Sequence, residues 1–224
     1  MNPYWNSLTC LYQKGNQRVV AKTKPTYPIT IDVITNLARG VDVFTSNTFL
    51  VTGETTALVD TGANFDVVSA VREQTDELDR VYLTHTHEDH VGNVEAVREA
   101  FGVETWGYDP DNPLVDRELA DGETVEIGDD DYVAVHTPGH KDDHLCLYSR
   151  DARTLFAGDL VFANGSFGRT DLEEGHRPTL IDSIDRIRET VGEDLDAMHT
   201  GHGPSVEDRP FEDIEFAGNA ARMG

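Results

Sequence analysis

The segment His85–His90 constrains the fold more than any other part of the chain. It reads His-Thr-His-Glu-Asp-His and follows the run Val81–Leu83, whose apolar residues are typical of a buried strand. Period-two alternation beyond such a strand places His85 and His87 on one side, and the aspartate and last histidine follow where the chain bends toward a helix. Four metal-binding side chains within six residues predict two ligand pairs facing two metal positions.

Three later positions share one pattern, in which an apolar strand leads through a glycine to a metal-binding side chain. The strands are expected at residues 132–135, 154–157 and 195–198, and the side chains beyond them are His140, Asp159 and His202. In open α/β sheets ligands gather beyond the carboxyl ends of strands, and glycine permits the tight turn that brings these ends together. We therefore expect these side chains to converge on the first group.

The donor types determine which metal is expected. Imidazole and carboxylate without thiolate favour two Zn²⁺ ions, although Mn²⁺ or Fe²⁺ is compatible with the same donors. We expect three sets of ligands: His85, His87 and His140 on one metal, Asp89, His90 and His202 on the other, and Asp159 reaching both. Two metals about 3.5 to 4 Å apart lower the pKa of bound water toward about 7 and stabilise both oxygens of a hydrolysis.

The pattern of hydrophobic residues predicts an α/β fold in a single domain over residues 1–224. Strands are expected at residues 29–34, 41–44, 48–51, 56–59, 81–83, 103–106, 124–127, 132–135, 145–148, 154–157 and 195–198. Helices are expected at 65–75, 94–101 and 179–191, the last with a capping box formed by Thr179 and Asp182. Strands in a meander, then strands alternating with helices, imply sheets covered by helices.

The charge composition is strongly acidic. The 224 residues carry 42 acidic and 18 basic side chains, a formal net charge of -24, and only four of the basic residues are lysines. This predicts a halophilic source, where concentrated salt screens the self-repulsion, with an acidic mesophilic protein as the alternative. A nucleic-acid partner is disfavoured because no basic stripe is present.

Several further features indicate where the chain acts. It has no apolar run long enough to span a membrane and no apolar leader segment, so we expect a cytoplasmic protein, monomeric or homodimeric. Its two cysteines, Cys10 and Cys146, match no metal or redox spacing and are expected to be free thiols.

The order of the motifs resembles that of the metallo-β-lactamase superfamily, over about residues 29 to 206. The motifs that carry the resemblance are Ser46–Val51, Leu58–Gly62, His85–His90, Thr137–His140, Gly158–Asp159 and Gly201–Pro204. The resemblance implies an αββα sandwich, two mixed β-sheets flanked by helices, with a dinuclear site at one edge between the sheets.

Within that superfamily, the segments Phe156–Phe162 and Gly165–Asp171 are similar to those of short glyoxalase-II-type hydrolases, which act on hydroxyacylglutathione, and of persulfide dioxygenases. After His140, family members read Thr-x-Gly-His, whereas this chain reads Lys-Asp-Asp-His over residues 141–144. This departure affects the loop shape and the contacts with a thiol carrier.

Two enzymatic functions follow from the resemblance. The first is a thioester hydrolase, in which a hydroxide between two metals attacks the acyl carbon of a small-molecule thioester and a thiolate departs. The second is a mononuclear iron persulfide dioxygenase, which would use only His85, His140 and Asp159. All seven ligand positions are filled, which favours hydrolysis.

Four residues are assigned supporting roles. We expect Asp60 to orient a ligating imidazole, with an Asx turn as the alternative, and Asp89 to shuttle a proton in addition to binding metal. Arg169 is a candidate substrate-binding residue, or half of an ion pair with Asp171 that fixes its loop. Lys141 directly follows a ligand and is a candidate contact for an anionic carrier group.

Overall fold

Two mixed β-sheets form the centre of the protein in the computed structural model, which describes residues 33–223. The first sheet has six strands, β1 to β6 in both chain and spatial order: Val33–Asn36, Phe49–Thr52, Ala57–Val59, Arg80–Tyr82, Thr105–Gly107 and Arg117–Glu118. Strands β1 to β3 pair antiparallel, whereas β3 to β6 pair parallel.

The second sheet has five strands. They are β7 Thr124–Ile127, β8 Asp130–His136, β9 Leu145–Ser149, β10 Thr154–Gly158 and β13 Ala197–Thr200, in the spatial order β13-β10-β9-β8-β7. Only β10 and β13 pair parallel. A two-stranded ribbon of β11 Val161–Phe162 and β12 Ser166–Phe167 follows β10.

Five helices cover the outer faces of the sheets. They are α1 Val67–Arg72, α2 Glu88–Val91, α3 Val94–Phe101, α4 Arg177–Thr190 and α5 Pro210–Met223. No helix within residues 33–223 is both long enough and apolar enough to cross a membrane.

The alternation of side chains along the strands explains how apolar residues are divided between the core that separates the two sheets and the cores under the helices. In β2, Phe49 and Val51 belong to the core between the sheets, whereas Leu50 belongs to the core under α1 and α3. In β10, Phe156 faces the core between the sheets, and Leu155 faces the core under α4 and α5. Because successive strand residues point to opposite faces, an unbroken apolar run fills both layers. The expected αββα sandwich is therefore confirmed.

Three differences from the predicted elements have local causes. Residues 41–44 form an exposed loop rather than a strand, because they pair with no neighbouring strand among the described residues. Helix α4 begins at Arg177 and is capped by His176, whose ring accepts from the backbone N–H of Thr179, so the predicted capping box is wrong. Helix α5 was not predicted, since Ile214, Ala217 and Ala221 give it only a narrow apolar face.

Two expectations fall partly outside the described residues. Of the predicted strand at 29–34, only the last two residues are described, and they belong to β1. Cys146 is free and buried, as expected, whereas Cys10 lies outside the described residues.

The strand directions explain why one edge of the sandwich collects the site. Strand β9 is antiparallel to both β8 and β10, and β13 is parallel to β10, so β8, β10 and β13 point the same way. Their carboxyl ends, at His136, Gly158 and Thr200, therefore lie at one edge.

Candidate metal centre

Seven side chains meet at this edge, each just beyond a strand or in the short helix α2. They are His85 and His87 after β4, Asp89 and His90 in α2, His140 after β8, Asp159 after β10 and His202 after β13. Within each of three sets the donor atoms lie within 4.8 Å of one another. Two of these sets share no residue and are called the first and second groups below, and the third set, His85, His90 and Asp159, connects them. The structure thus brings together all seven residues expected as ligands.

The first group consists of His85, His87 and His140. The Nδ1 atom of His87 lies 3.0 Å from Nε2 of His85 and 3.0 Å from Nε2 of His140. Three imidazole nitrogens therefore face one point, an arrangement typical of a metal site open to a fourth ligand.

The second group consists of Asp89, His90 and His202. The Oδ2 atom of Asp89 lies 3.0 Å from Nε2 of His202 and 4.0 Å from Nε2 of His90. The His202 side chain is one-third exposed, whereas His90 is fully buried, so this group opens to solvent on the His202 side.

Asp159 connects the two groups. Its Oδ2 lies 3.4 Å from Nε2 of His140 in the first group and 3.5 Å from Nε2 of His202 in the second. Its Oδ1 lies 3.4 Å from Nε2 of His90. One carboxylate therefore faces both groups, as a bridging ligand must.

Two buried polar atoms test whether this cluster fits a cation. Among the described residues, Nε2 of His90 and Oδ1 of Asp159 are buried and have no hydrogen-bond partner. An unpartnered buried polar atom is costly, and such atoms are rare in folded proteins. A metal ion at this position would satisfy both, so the cluster is consistent with a dinuclear metal site.

Hydrogen bonds behind the cluster fix which imidazole nitrogen faces it. The Nδ1–H of His90 donates to Oδ2 of Asp60 at 2.8 Å, and the Nδ1–H of His140 donates to the Arg169 carbonyl at 2.8 Å. Asp60 is buried and also accepts from the backbone N–H and hydroxyl of Thr84. These contacts leave the Nε2 lone pairs directed into the cluster, the usual arrangement behind metal-binding histidines.

The electrostatics of the cluster differ from one residue to the next. Burial, reinforced by neighbouring histidines, lowers the pKa of His85 well below its ordinary value and that of His87 to about 4. Burial also opposes the charged form of His90, but the carboxylates of Asp60 and Asp159 outweigh it and raise its pKa. Without metal, His85 and His87 are therefore neutral at pH 7, and a proton on His90 competes with a cation.

The sequence reasoning missed His144, which is fully buried behind Asp159. Its Nε2 accepts from the backbone N–H of Asp159 at 2.9 Å, and its Nδ1–H donates to the Thr137 hydroxyl at 2.8 Å. Burial lowers the pKa of His144 to about 3, so the ring is a neutral acceptor that fixes the Asp159 backbone. The one sequence feature that could have indicated a role for His144 is its position four residues after the ligand candidate His140.

Asn47 lies in the Ser46–Val51 motif, and the sequence predicted no role for its side chain. Its Nδ2 donates to the carbonyls of Thr200 and Gly203 at 2.8 and 2.9 Å, and its backbone N–H donates to the Gly201 carbonyl at 2.7 Å. Asn47 therefore holds the loop that carries His202. The same loop needs glycine at 201, because a Cβ there would overlap Oδ1 of Asp159.

Arg169 and Lys141, the two residues expected to bind substrate, differ in their exposure and in their partners. Arg169 is 62% exposed and makes two 2.8 Å hydrogen bonds to Asp171, which is also exposed. Lys141 is only 14% exposed, and its ammonium contacts the carboxylates of Asp143 and Glu174. The Arg169 side chain is thus exposed and paired with Asp171, whereas Lys141 is engaged within the protein.

An apolar wall stands beside His202. The Phe44 ring, 76% exposed, stacks on the His202 ring with centroids 6.2 Å apart, and Phe162 approaches the same ring at 6.3 Å. Phe44 is exposed and Phe162 is half-buried, so the two rings form an apolar surface next to the half-open group.

Comparisons with known proteins agree with this geometry. The chain is 27% identical over 229 residues to the lactamase-like protein aptB of Emericella nidulans, covering 95% of this chain and 68% of the relative. It is 29% identical over 170 residues to the hydroxyacylglutathione hydrolase GloC of Haemophilus influenzae, covering 66% of this chain and 79% of the relative.

Solved structures extend the comparison to the fold. TTHA1623, whose crystal structure was determined in a di-iron-bound form, has a TM-score of 0.64 and 28% identity, covering 80% of this chain and 94% of that one. The metallo-beta-lactamase superfamily model matches residues 41–205, which include all seven cluster residues. The chain therefore belongs to the metallo-beta-lactamase superfamily.

Proposed function

We propose that the protein hydrolyses a small-molecule thioester, in the manner of hydroxyacylglutathione hydrolases, with two metal ions in the cluster. The observation that carries the proposal is Asp159, whose Oδ2 lies 3.4 to 3.5 Å from one histidine nitrogen of each group. A carboxylate shared between two donor groups is what a two-metal hydrolase requires. The similarity to GloC adds the thioester to this proposal.

Nitrogen and oxygen donors without thiolate favour Zn²⁺, and Fe²⁺ or Mn²⁺ suits the same groups. His85, His87 and His140 would hold one ion, Asp89, His90 and His202 the other, and Asp159 both. Two bound ions would supply Lewis acidity, which activates water and stabilises the charge that develops on the thioester oxygen.

The chain's own residues would bind and orient the substrate. Asp89 has its Oδ2 against His202 at the solvent side of the cluster, where it can hold a proton for the departing group. Phe44 and Phe162 provide an apolar wall for the acyl group or the carrier. Arg169 is the accessible cation for an anionic part of the carrier.

A paired assay tests the proposal against the persulfide dioxygenase alternative. Thiol release from a lactoyl thioester is measured with the zinc-loaded protein, and O₂ consumption with a thiol persulfide is measured with the iron-loaded protein. We expect thioester turnover of about 1 to 1,000 per second and no oxygen uptake above background.

Matched variants connect the activity to the cluster. Asp89→Asn should abolish thioester cleavage, whereas His176→Asn replaces a histidine outside the cluster with another good helix cap and should leave cleavage unchanged. Fast oxygen uptake together with thioester cleavage at background would overturn the proposal in favour of the dioxygenase.

A further inference from the structure

A chain of polar contacts joins three loops at the edge of the candidate metal centre. The Thr86 hydroxyl donates to Oδ2 of Asp143 at 2.5 Å, and Oδ1 of Asp143 lies 3.6 Å from Nζ of Lys141. Nζ of Lys141 in turn donates to both oxygens of Glu174, at 2.9 and 3.0 Å. We refer to Thr86, Asp143, Lys141 and Glu174 as the ionic brace.

Two members of the brace lie next to metal-binding positions in the sequence. Thr86 stands between His85 and His87 in the sequence, and Lys141 directly follows His140. The brace therefore connects the two loops that carry the whole first group, and Glu174 ties both to the loop that precedes α4.

The burial of Lys141 and Asp143 separates the brace from an ordinary surface ion pair. Their side chains are 14% and 6% exposed, whereas that of Glu174 is 37% exposed. Exposed pairs contribute little to stability, but a pair withdrawn from water leaves an uncompensated charge when one partner is removed. Lys141 is also the only lysine in the part of the chain that the structure describes.

Each member of the brace depends on its side-chain type. A glycine at 143 would provide no carboxylate for the Thr86 hydroxyl, and a short side chain at 141 would not reach Glu174. Lys141 and Asp143 also contact each other, so a change at either position disturbs the same set of contacts.

We propose that Lys141, Asp143 and Glu174 are positioning residues for His87 and His140, and that Lys141 is not the cation that binds the substrate. This inference rests on the proposed two-metal site. Removing one charge would leave buried Lys141 or Asp143 with an incomplete set of partners, displace the loop and weaken the first metal position. The second position should change less, because Asp89 and His90 are held in α2 and His202 lies on a separate loop.

Zinc binding measured by chelator competition tests the brace without relying on catalysis. The losses in His140→Ala and in His202→Ala first assign the two zinc equivalents to the first and second positions. Lys141→Met and Glu174→Gln should then weaken the first equivalent about 10- to 100-fold and leave the second within about 2-fold. The double variant Lys141→Met with Glu174→Gln should bind the first zinc equivalent no more weakly than Lys141→Met alone, because both changes remove the contact between Lys141 and Glu174.

Two control variants show whether a loss of zinc binding comes from the brace or from a failure to fold. Lys141→Arg keeps the charge and should retain the first zinc equivalent within about 3-fold, and Arg209→Met, which disrupts an exposed pair with Glu212, should change neither equivalent.

The same variants are assayed for the thioester KM. A KM raised tenfold in Lys141→Met with unchanged zinc affinity would make Lys141 a substrate-binding residue and overturn the inference, as would zinc affinity that none of the variants alters. If the parent binds two zinc ions without cleaving a thioester, the proposed activity fails, while the zinc measurements still decide the role of the brace.

Discussion

Asp60 and His90 form a buried pair, with Oδ2 of Asp60 2.8 Å from Nδ1 of His90 on the side of the ring that faces away from the cluster. The same carboxylate accepts two further hydrogen bonds from Thr84, so its position is fixed from both sides. The pair determines both the tautomer and the orientation of His90, which places Nε2 toward Asp159.

Asp60→Asn should therefore weaken metal binding without removing a ligand. The amide of asparagine has one acceptor oxygen in place of two and carries no charge to stabilise the imidazole of His90. We therefore expect the affinity for the second metal to fall about 10- to 100-fold. Chelator competition measures it. Asp151→Asn, a change at an exposed turn, is the control, and equal affinities in the two variants would show that Asp60 has only a turn-forming role.

Asp159→Asn and His202→Ala should have unequal effects on metal content. The first change weakens the one carboxylate that faces both groups, whereas the second removes a ligand from one group. Metal analysis after dialysis should give less than one equivalent for Asp159→Asn and about one equivalent for His202→Ala, against two in the parent. Two tightly held equivalents in Asp159→Asn would contradict a shared carboxylate.

Asn47→Ala tests whether the His202 loop is positioned from a distance. The change removes the hydrogen bonds to the carbonyls of Thr200 and Gly203, so the loop loses two of its anchors. We expect affinity for the second metal to fall about tenfold, with the first unchanged. In contrast, Asn219→Ala, an exposed change in α5, should affect neither. A uniform loss at both positions would point to general destabilisation instead.

Stability of the metal-free protein should fall as the pH drops from about 6.5 to about 4. His199 is nearly buried between Phe49 and Phe156, and burial lowers its pKa to about 4. The unfolded chain takes up a proton near pH 6.5 that the folded chain takes up only near pH 4, so folding loses up to about 2 to 3 kcal/mol across this window.

Urea unfolding at several pH values in the presence of a chelator measures this loss. His199→Phe should reduce the dependence of the unfolding free energy on pH without abolishing it, because burial also lowers the pKa values of His87 and His144. The same slope in His199→Phe and the parent would exclude His199 as its source.

Stability should also rise with salt concentration, as expected for a halophilic protein. A net charge of -24 repels itself at low ionic strength, and the Debye length falls from about 10 Å at 0.1 M to about 3 Å at 1 M. Thermal melting in KCl from about 0.1 M to about 3 M should show a rising midpoint. A flat or falling midpoint would favour the acidic mesophilic alternative.

The hydrophobic pattern predicted sheets covered by helices, and the resemblance of the motifs to the superfamily implied the αββα sandwich. The seven cluster residues were predicted because metal-binding side chains lie just beyond strand ends next to glycine or threonine. The helix at Val94–Phe101 was predicted at its observed boundaries, because its apolar spacing and the following Gly102, with φ 67°, define both ends locally.

Only the tertiary structure revealed the contacts between distant segments. Asn47 reaches the His202 loop across more than 150 residues, and His144, just before β9, supports the backbone of Asp159 just after β10. The sequence made Lys141 a candidate contact for an anionic carrier group, and only the structure shows Glu174 beside it, because that proximity depends on how two loops pack. A lone charge in a sequence does not specify its partner, because that partner is selected by the distance between segments, which folding alone determines.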